Sequence, residues 1–351
     1  MQVDFIIVGQ GIAGTCFAFE LIRQNKTFII VDNYVSNSSS QVALGVYNPI
    51  ILKWFTKPWK VDQQINLFYS FYDELNLLLN KDLYNDSGIY KFLHTAGDQN
   101  NWLVKSKSIH RSKYMSSKLF KLDNINLTNS KFYGYVNQAG KLNVQNLLKL
   151  FRQYCLSKNI LKEEKFIYKD LHISKSNIKY KNINAKKIIF CEGSSIVRNP
   201  YFKNLNFKLN KGEILTILSK DLHVNTIMHS GLLLVPLNNN LYKIGATYSS
   251  DFIHNNPTKS AKEILKSYLN KILKCPYEIV DHQSGIRPST EDRRPLIGAH
   301  VEHSNMYIMN GLGTRGVLLA PYLSGCLLDN IFYNKKIDND ININRINKKA
   351  P

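Results

Sequence analysis

DFIIVGQGIAGTCFAFELIRQNKTFIIVD, residues 4–32, decides the fold. Asp4 to Val8 is a short apolar run, and Gly9 to Gly14 spells GQGIAG. From Thr15 to Gln24, Phe17, Ala18, Leu21 and Ile22 fall on one face of a helix. Thr27 to Val31 is a second buried strand that ends at Asp32. Strand, tight turn, helix and strand within about 30 residues make a βαβ opening. The three glycines have separate uses. Gly9 permits the turn, Gly11 lets backbone approach a pyrophosphate, and Gly14 lets helix and strand pack closely. Ile12 and Ala13 open the helix, where free amides and the positive dipole end suit a phosphate. Asp32 stands 18 positions past the last glycine, with Asn33 beside it, placed for a ribose diol. This fingerprint predicts a dinucleotide and does not separate NAD from FAD.

Working outward, the chain of 351 residues is 44% hydrophobic and 21% charged, the composition of a folded protein with a large core. Mean hydropathy is −0.25, and no apolar run approaches the roughly 20 residues of a membrane span. Residues 1–8 already form a strand with no basic leader, so a cytoplasmic location is expected. The five cysteines are odd in number and form no CxxC pair, which argues against a metal site or a disulfide framework. The balance of 46 basic to 26 acidic residues gives +20. Such a field attracts polyanions or an acidic membrane surface. Richness in Lys and Asn also arises from an AT-rich genome, and composition leaves both open.

A polar loop, Asn33 to Ser40, follows the opening. Helices are predicted over 62–80, 143–158, 260–273 and 316–332. Residues 87–137 read as mixed short strands and loops, and further short strands fall near 164–168, 171–174 and 177–181. GEILTIL, GLLLVPL and LYKIGATY, within 211–253, read as an antiparallel sheet. The fold class expected is therefore α/β, a Rossmann-like nucleotide-binding domain with an interleaved antiparallel-sheet α+β substrate domain. The nucleotide domain takes 1–85, 138–205 and 284–335. The substrate domain takes 86–137 and 206–283, and 336–351 is a loose polar tail.

Six further segments, in order, resemble the D-amino-acid-oxidase/glycine-oxidase family of FAD-dependent enzymes. Ser38-Ser39-Ser40 to Gly45, with Pro49, is similar to the loop that wraps the pyrophosphate. Lys187 to Gly193 resembles the strand and turn that close the FAD site. Lys211-Gly212-Glu213-Ile214 looks like the entry into the substrate sheet. Val235-Pro236 with Ile244 to Thr247 resembles its central strands. Gly285-Ile286-Arg287-Pro288, Asp292, Pro295 and Ile297-Gly298 match the C-terminal signature. Gly311-Leu312-Gly313-Thr314-Arg315-Gly316 looks like the glycine-rich turn into the last helix. The resemblance implies FAD, held noncovalently, since no Cys lies between Ile286 and Gly325. It also implies that Arg287 holds a substrate carboxylate, for which a planar guanidinium fork is suited. Arg315 either lines the cavity or pairs at the surface. Relatives often carry an aromatic residue three positions before the Val-Pro proline. Here that position is Leu233, so Tyr47 and Tyr248 are alternative substrate-lining candidates.

Amine oxidation on a flavin asks mainly for orientation. Hydride leaves the α carbon for flavin N5, and water hydrolyses the resulting imine. His229, His254, His282, His300 and His303 are scattered and are expected at the surface or in the core. The substrate is then a free amino acid such as glycine, sarcosine or a D-amino acid, or an N-substituted glycine. The C-terminal turn followed by Ala320-Pro321 also resembles the FAD-dependent half of bacterial tRNA wobble-uridine modification enzymes. That resemblance implies removal of a carboxymethyl group from carboxymethylaminomethyl-uridine, with tRNA as partner. Candidate contact runs are Lys53, Lys57 and Lys60 with Trp54 and Trp59, and Lys105, Lys107, Arg111, Lys113, Lys118 and Lys121. A flavin-binding scaffold without turnover is the alternative from another class. Oligomeric state is left open.

Overall fold

Every residue of FIIV in the first strand is buried, because both faces of its sheet are covered. A computed structural model describes residues 1–128 and 132–347. Its larger sheet runs in the order Leu296–Ala299, Met306–Asn310, Ile183–Phe190, Gln2–Val8, Phe28–Val31, Leu161–Lys162. A hairpin of Leu171–Ile173 and Ile178–Tyr180 attaches to Ile183–Phe190. Gln2–Val8 is parallel to both neighbours. Its odd positions Phe5 and Ile7 join a core with helices Ile12–Arg23, Val61–Leu79, Val144–Ser157 and Gly316–Tyr333. Its even positions Ile6 and Val8 join a second core with Phe166, Tyr180 and Phe202.

Gly316–Tyr333 is, among the described residues, the one helix long and apolar enough to cross a membrane. It packs inside the fold against Ile12–Arg23 and Val61–Leu79, and the Tyr72 hydroxyl donates to its Val317 carbonyl at 3.0 Å.

The second sheet has seven strands, in the order Glu278–Thr290, Phe207–Leu218, Leu241–Gly245, Leu233–Pro236, Ile227–His229, Ile89–Leu93, Phe132–Val136. All neighbours are antiparallel except Ile227–His229 with Ile89–Leu93. One face buries Leu215, Ile217 and Ile244 against Leu265 and Leu269 of helix Lys259–Ile272. The other face turns Gly212, Ile214, Leu233, Gly285 and Arg287 toward a cavity. The protein is thus an α/β fold with a second, largely antiparallel sheet. Strand Glu278–Thr290 runs unbroken across position 284, the boundary expected from sequence.

Three local expectations need correction. Ala96–Ser106 is a helix, where strands and loops were expected. Thr95 caps it in a reciprocal box with Asp98, which compensates for a sequence poor in apolar residues. Residues 164–168 form no strand; a short 3-10 helix, Tyr168–Asp170, starts there. The tail is docked. Ile337, Ile341 and Ile343 are buried, the Ile297 amide donates to the Ile341 carbonyl while its carbonyl accepts from the Ile343 amide, and Arg345 clasps Asp292 at 3.1 Å. Residues 348–351 of that tail lie outside the described residues.

The clasp gives a pH-dependent expectation. Burial raises the Asp292 carboxyl, but hydrogen bonds from Arg345 and the Arg294 amide outweigh it and hold it below its usual value. Its contribution is therefore complete above the unfolded value near ~3.9 and fades as pH falls through the lower folded one. Arg345→Ala is expected to lose about 1 kcal/mol, because the pair is partly exposed and screened. Thermal unfolding at neutral pH and near pH ~3 checks this: the gap between variant and parent should narrow in acid.

Candidate active site

Between the two sheets lies a cavity of about 760 Å³, within the range of cofactor sites. One end is built by the GQGIAG turn. Gly9 has φ +99° and donates its amide to the Val31 carbonyl at 3.0 Å. A Cβ on Gly14 would stand 1.9 Å from the Gly9 carbonyl oxygen, so helix and strand touch there through bare backbone. Gly11, Ile12 and Ala13 line the cavity. The Ser40 hydroxyl accepts from the Ile12 amide at 3.1 Å, and the helical ladder begins with Thr15 bonding Gly11. The amides of Ala13 and Gly14 are left ahead of the ladder, at the positive end of the helix.

Asp32 and Asn33 line the same end. The Asp32 carboxylate already accepts from the amides of Gln10 (3.0 Å) and Tyr34 (2.9 Å) and from Arg152 (2.7 Å). A carboxylate has about four acceptor sites, so one remains for a ribose hydroxyl. Arg152, on helix Val144–Ser157, also donates to the Gln10 side chain at 3.1 Å and fixes the turn from outside. Ser39, Ser40 and Gly45 line the middle of the cavity with Gly193, where an added Cβ would meet nothing within 4 Å.

Glu192 also lines the cavity. Burial pushes its carboxyl up, although Tyr168 and Asn199 donate to it. The upward shift favours the neutral form, so the group repels phosphates less than an ordinary carboxylate.

The other end is built by the second sheet. The Arg287 guanidinium lies over Gly212; a Cβ there would stand 1.9 Å from Nη2. It donates to Asn210 Oδ1 at 2.9 Å and to the Thr247 carbonyl at 3.4 Å. Among the described residues no carboxylate pairs with it, so it keeps donors for a ligand. Leu233 and Tyr248 line this end, and Tyr248 is exposed. A buried Lys211–Glu213 pair at 3.0 Å holds the loop that follows Tyr248: Glu213 accepts from Thr258, and Lys211 donates to the Asn256 carbonyl.

Gly313, Thr314 and Gly316 close the cavity at the mouth of the last long helix. Gly311 and Arg315 belong to the same turn but do not line it. Arg315 neither enters the cavity nor forms a surface pair. It turns back to the Asn48 carbonyl at 2.8 Å, and burial lowers it to about 10. Tyr47 is also displaced from its expected place. It is fully buried, its ring 4.1 Å from Phe68 and its hydroxyl donating to Asp86, so it is a core residue. The two basic runs come together on the outside, and none of their residues lines the cavity.

The profile of the family described as FAD dependent oxidoreductase (DAO) matches residues 4–329. The chain belongs to this family. It is 22% identical to glycine oxidase of Bacillus subtilis (strain 168), with 99% of this chain and 97% of the relative covered. Glycine oxidase of Pseudomonas putida is 21% identical, with 92% of each covered. Among solved structures, glycine oxidase from Geobacillus kaustophilus superposes with TM-score 0.76 at 20% identity, covering 96% and 97% of the two chains. Iminodiacetate oxidase from Chelativorans sp. BNC1 gives 0.79 at 14% identity, with the same coverage.

The residues present fit FAD, the cofactor of this oxidoreductase family. The open space beside Gly193, the bare-backbone turn and the spare acceptor of Asp32 would hold an adenosine and a pyrophosphate. The Gly313–Gly316 turn would offer helix-end amides to the ring system. Sequence reasoning missed Arg152, Glu192 and Tyr168. Each acts through a contact more than 20 residues distant in the chain, so no spacing signalled it.

Proposed function

We propose that this FAD-dependent oxidoreductase oxidises the C–N bond of an amino acid or N-substituted glycine, with Arg287 holding the substrate carboxylate. The observation that carries this reading is a half-buried guanidinium with no acidic partner among the described residues, facing the cavity across Gly212. An unpaired cation in a low-dielectric site is costly, and a carboxylate offsets that cost. Asn210 fixes the fork from outside the cavity lining. The kinship with glycine oxidases supports the same substrate class.

Bound FAD would supply the two-electron acceptor for oxidation of the carbon next to the substrate nitrogen. The chain's own part is orientation. Arg287 sets one end of the substrate, and Leu233 and Ile214 present an apolar wall that keeps water from the reacting carbon. The N-terminus of Gly316–Tyr333 places positive partial charge at the cavity wall, where it stabilises negative charge on a bound ring. Leu233 provides no hydroxyl, so the carboxylate grip rests on Arg287.

Dye-linked and oxygen-coupled turnover tests this. Glycine, sarcosine and larger N-substituted glycines are offered beside methylamine and dimethylamine, which lack the carboxylate. Release of glyoxylate from the first group, with no turnover of the second, is expected. Turnover of the simple amines at equal rate contradicts the carboxylate clamp.

A further inference from the structure

Two stretches far apart in sequence form one exposed surface away from the cavity. In the loop IILKWF, residues 50–55, Ile50, Leu52 and Phe55 point into the core. Ile51 and Trp54 point out, 38% and 59% exposed. The Phe55 ring meets the buried Trp102 edge-on at 5.2 Å. Trp102 belongs to helix Ala96–Ser106, whose outer side carries Val104, 72% exposed; the turn after it carries Ile109, 85% exposed. Lys105 Nζ donates to the Trp54 carbonyl at 2.7 Å, and Arg111 Nε to the Lys105 carbonyl at 3.0 Å. The apolar side chains therefore stand on a platform fastened to the core.

Cations surround them. Lys53 lies 4.7 Å over the Trp54 ring, and Lys107 is exposed beside Ile109. No acidic residue occurs between Asn48 and Val61 or between Gln99 and Leu122. Lys57 and Lys60, at the rim, are by contrast paired with Asp62 and Asp338.

We propose that this face docks the protein reversibly on an anionic lipid bilayer. Ile51, Trp54, Val104 and Ile109 enter the headgroup boundary, while Lys53 and Lys107 meet lipid phosphates. Aliphatic side chains ringed by lysines with an exposed tryptophan match the chemistry of such an interface. A second copy of the chain fits poorly, because a two-fold contact sets like charges against each other. RNA fits less well too: three of the four exposed apolar side chains are aliphatic and offer no surface for base stacking.

Co-sedimentation of the holoprotein with vesicles tests the proposal. Vesicles of phosphatidylcholine with phosphatidylglycerol are compared with phosphatidylcholine alone, at low and high salt. Binding to the anionic vesicles, weakened by salt, is expected, with a blue shift of tryptophan emission that Trp54→Phe removes. Lys53→Glu with Lys107→Glu should weaken binding about tenfold or more. Val104→Asp with Ile109→Asp should abolish it while flavin content and melting temperature stay at the parent values. No binding to anionic vesicles, or binding undiminished in both double variants, overturns the proposal. So does a dimer in lipid-free solution that the Asp variants dissociate, or tRNA binding lost in the Glu variants without vesicle binding in the parent.

Discussion

Arg287→Met is expected to lower kcat/KM for a carboxylate-bearing amine by about a hundredfold to a thousandfold. The side chain keeps an apolar stem but ends where the guanidinium begins, so the fork is lost. The variant should leave flavin content unchanged, since the contacts of Arg287 are to Asn210 and Thr247 and the dinucleotide turn lies at the opposite end of the cavity. Relief of the cation's desolvation is offset by the loss of the donor to buried Asn210 Oδ1, so only a small change in stability is expected. Arg287→Lys discriminates further. A point charge restores part of the attraction and none of the bidentate geometry, so its activity should lie between the two. Steady-state kinetics with the carboxylate-bearing substrate, beside thermal unfolding, check both statements. A variant whose loss follows loss of flavin, and not loss of substrate grip, contradicts the assigned role.

Gly14→Ala has the other large expected effect. The new Cβ would stand 1.9 Å from the Gly9 carbonyl oxygen and 3.4 Å from Ile7. Both neighbours belong to buried, hydrogen-bonded backbone or core, so neither can give way cheaply. Overpacking of this kind costs about 1–3 kcal/mol, or more where backbone is the obstacle. The helix start must move away from the strand, carrying the Ala13 amide with it. The purified variant should be colourless and should melt below the parent. Gly193→Ala is the comparison. Its Cβ meets no protein atom, and φ is +56°, so modest backbone strain without a clash inside the protein is expected, the methyl standing in the space assigned to the cofactor. Thermal unfolding of the flavin-free proteins separates the two, and absorbance of the flavin per mole of protein reads the packing at Gly14. Full flavin content in Gly14→Ala contradicts the close packing described.

The opening of the chain was legible because everything it needs is local. Turn, helix face and second strand lie within residues 4–32, and the glycines have one conformational reading each. The antiparallel strands of 211–253 were legible for the same reason, by alternation and a turn between them. Helix Ala96–Ser106 was not, because only Trp102 and Ser106 are buried on it; its stability comes from the Thr95–Asp98 box and from Trp102 donating to Ser116. The tail reads as polar by composition, yet three isoleucines pin it. Tyr47 and Arg315 were misplaced because side-chain direction, and not position in a motif, decides what they touch. Arg152 reaches Asp32 across 120 positions, and no single-sequence pattern carries that information.

Anaerobic titration of the purified protein with glycine or sarcosine, followed by flavin absorbance, tests the central claim most directly. The account predicts a yellow protein whose colour bleaches with a carboxylate-bearing amine and is unmoved by the matching amine without the carboxylate. A protein that stays colourless on reconstitution with FAD, or one bleached equally by both amines, contradicts it.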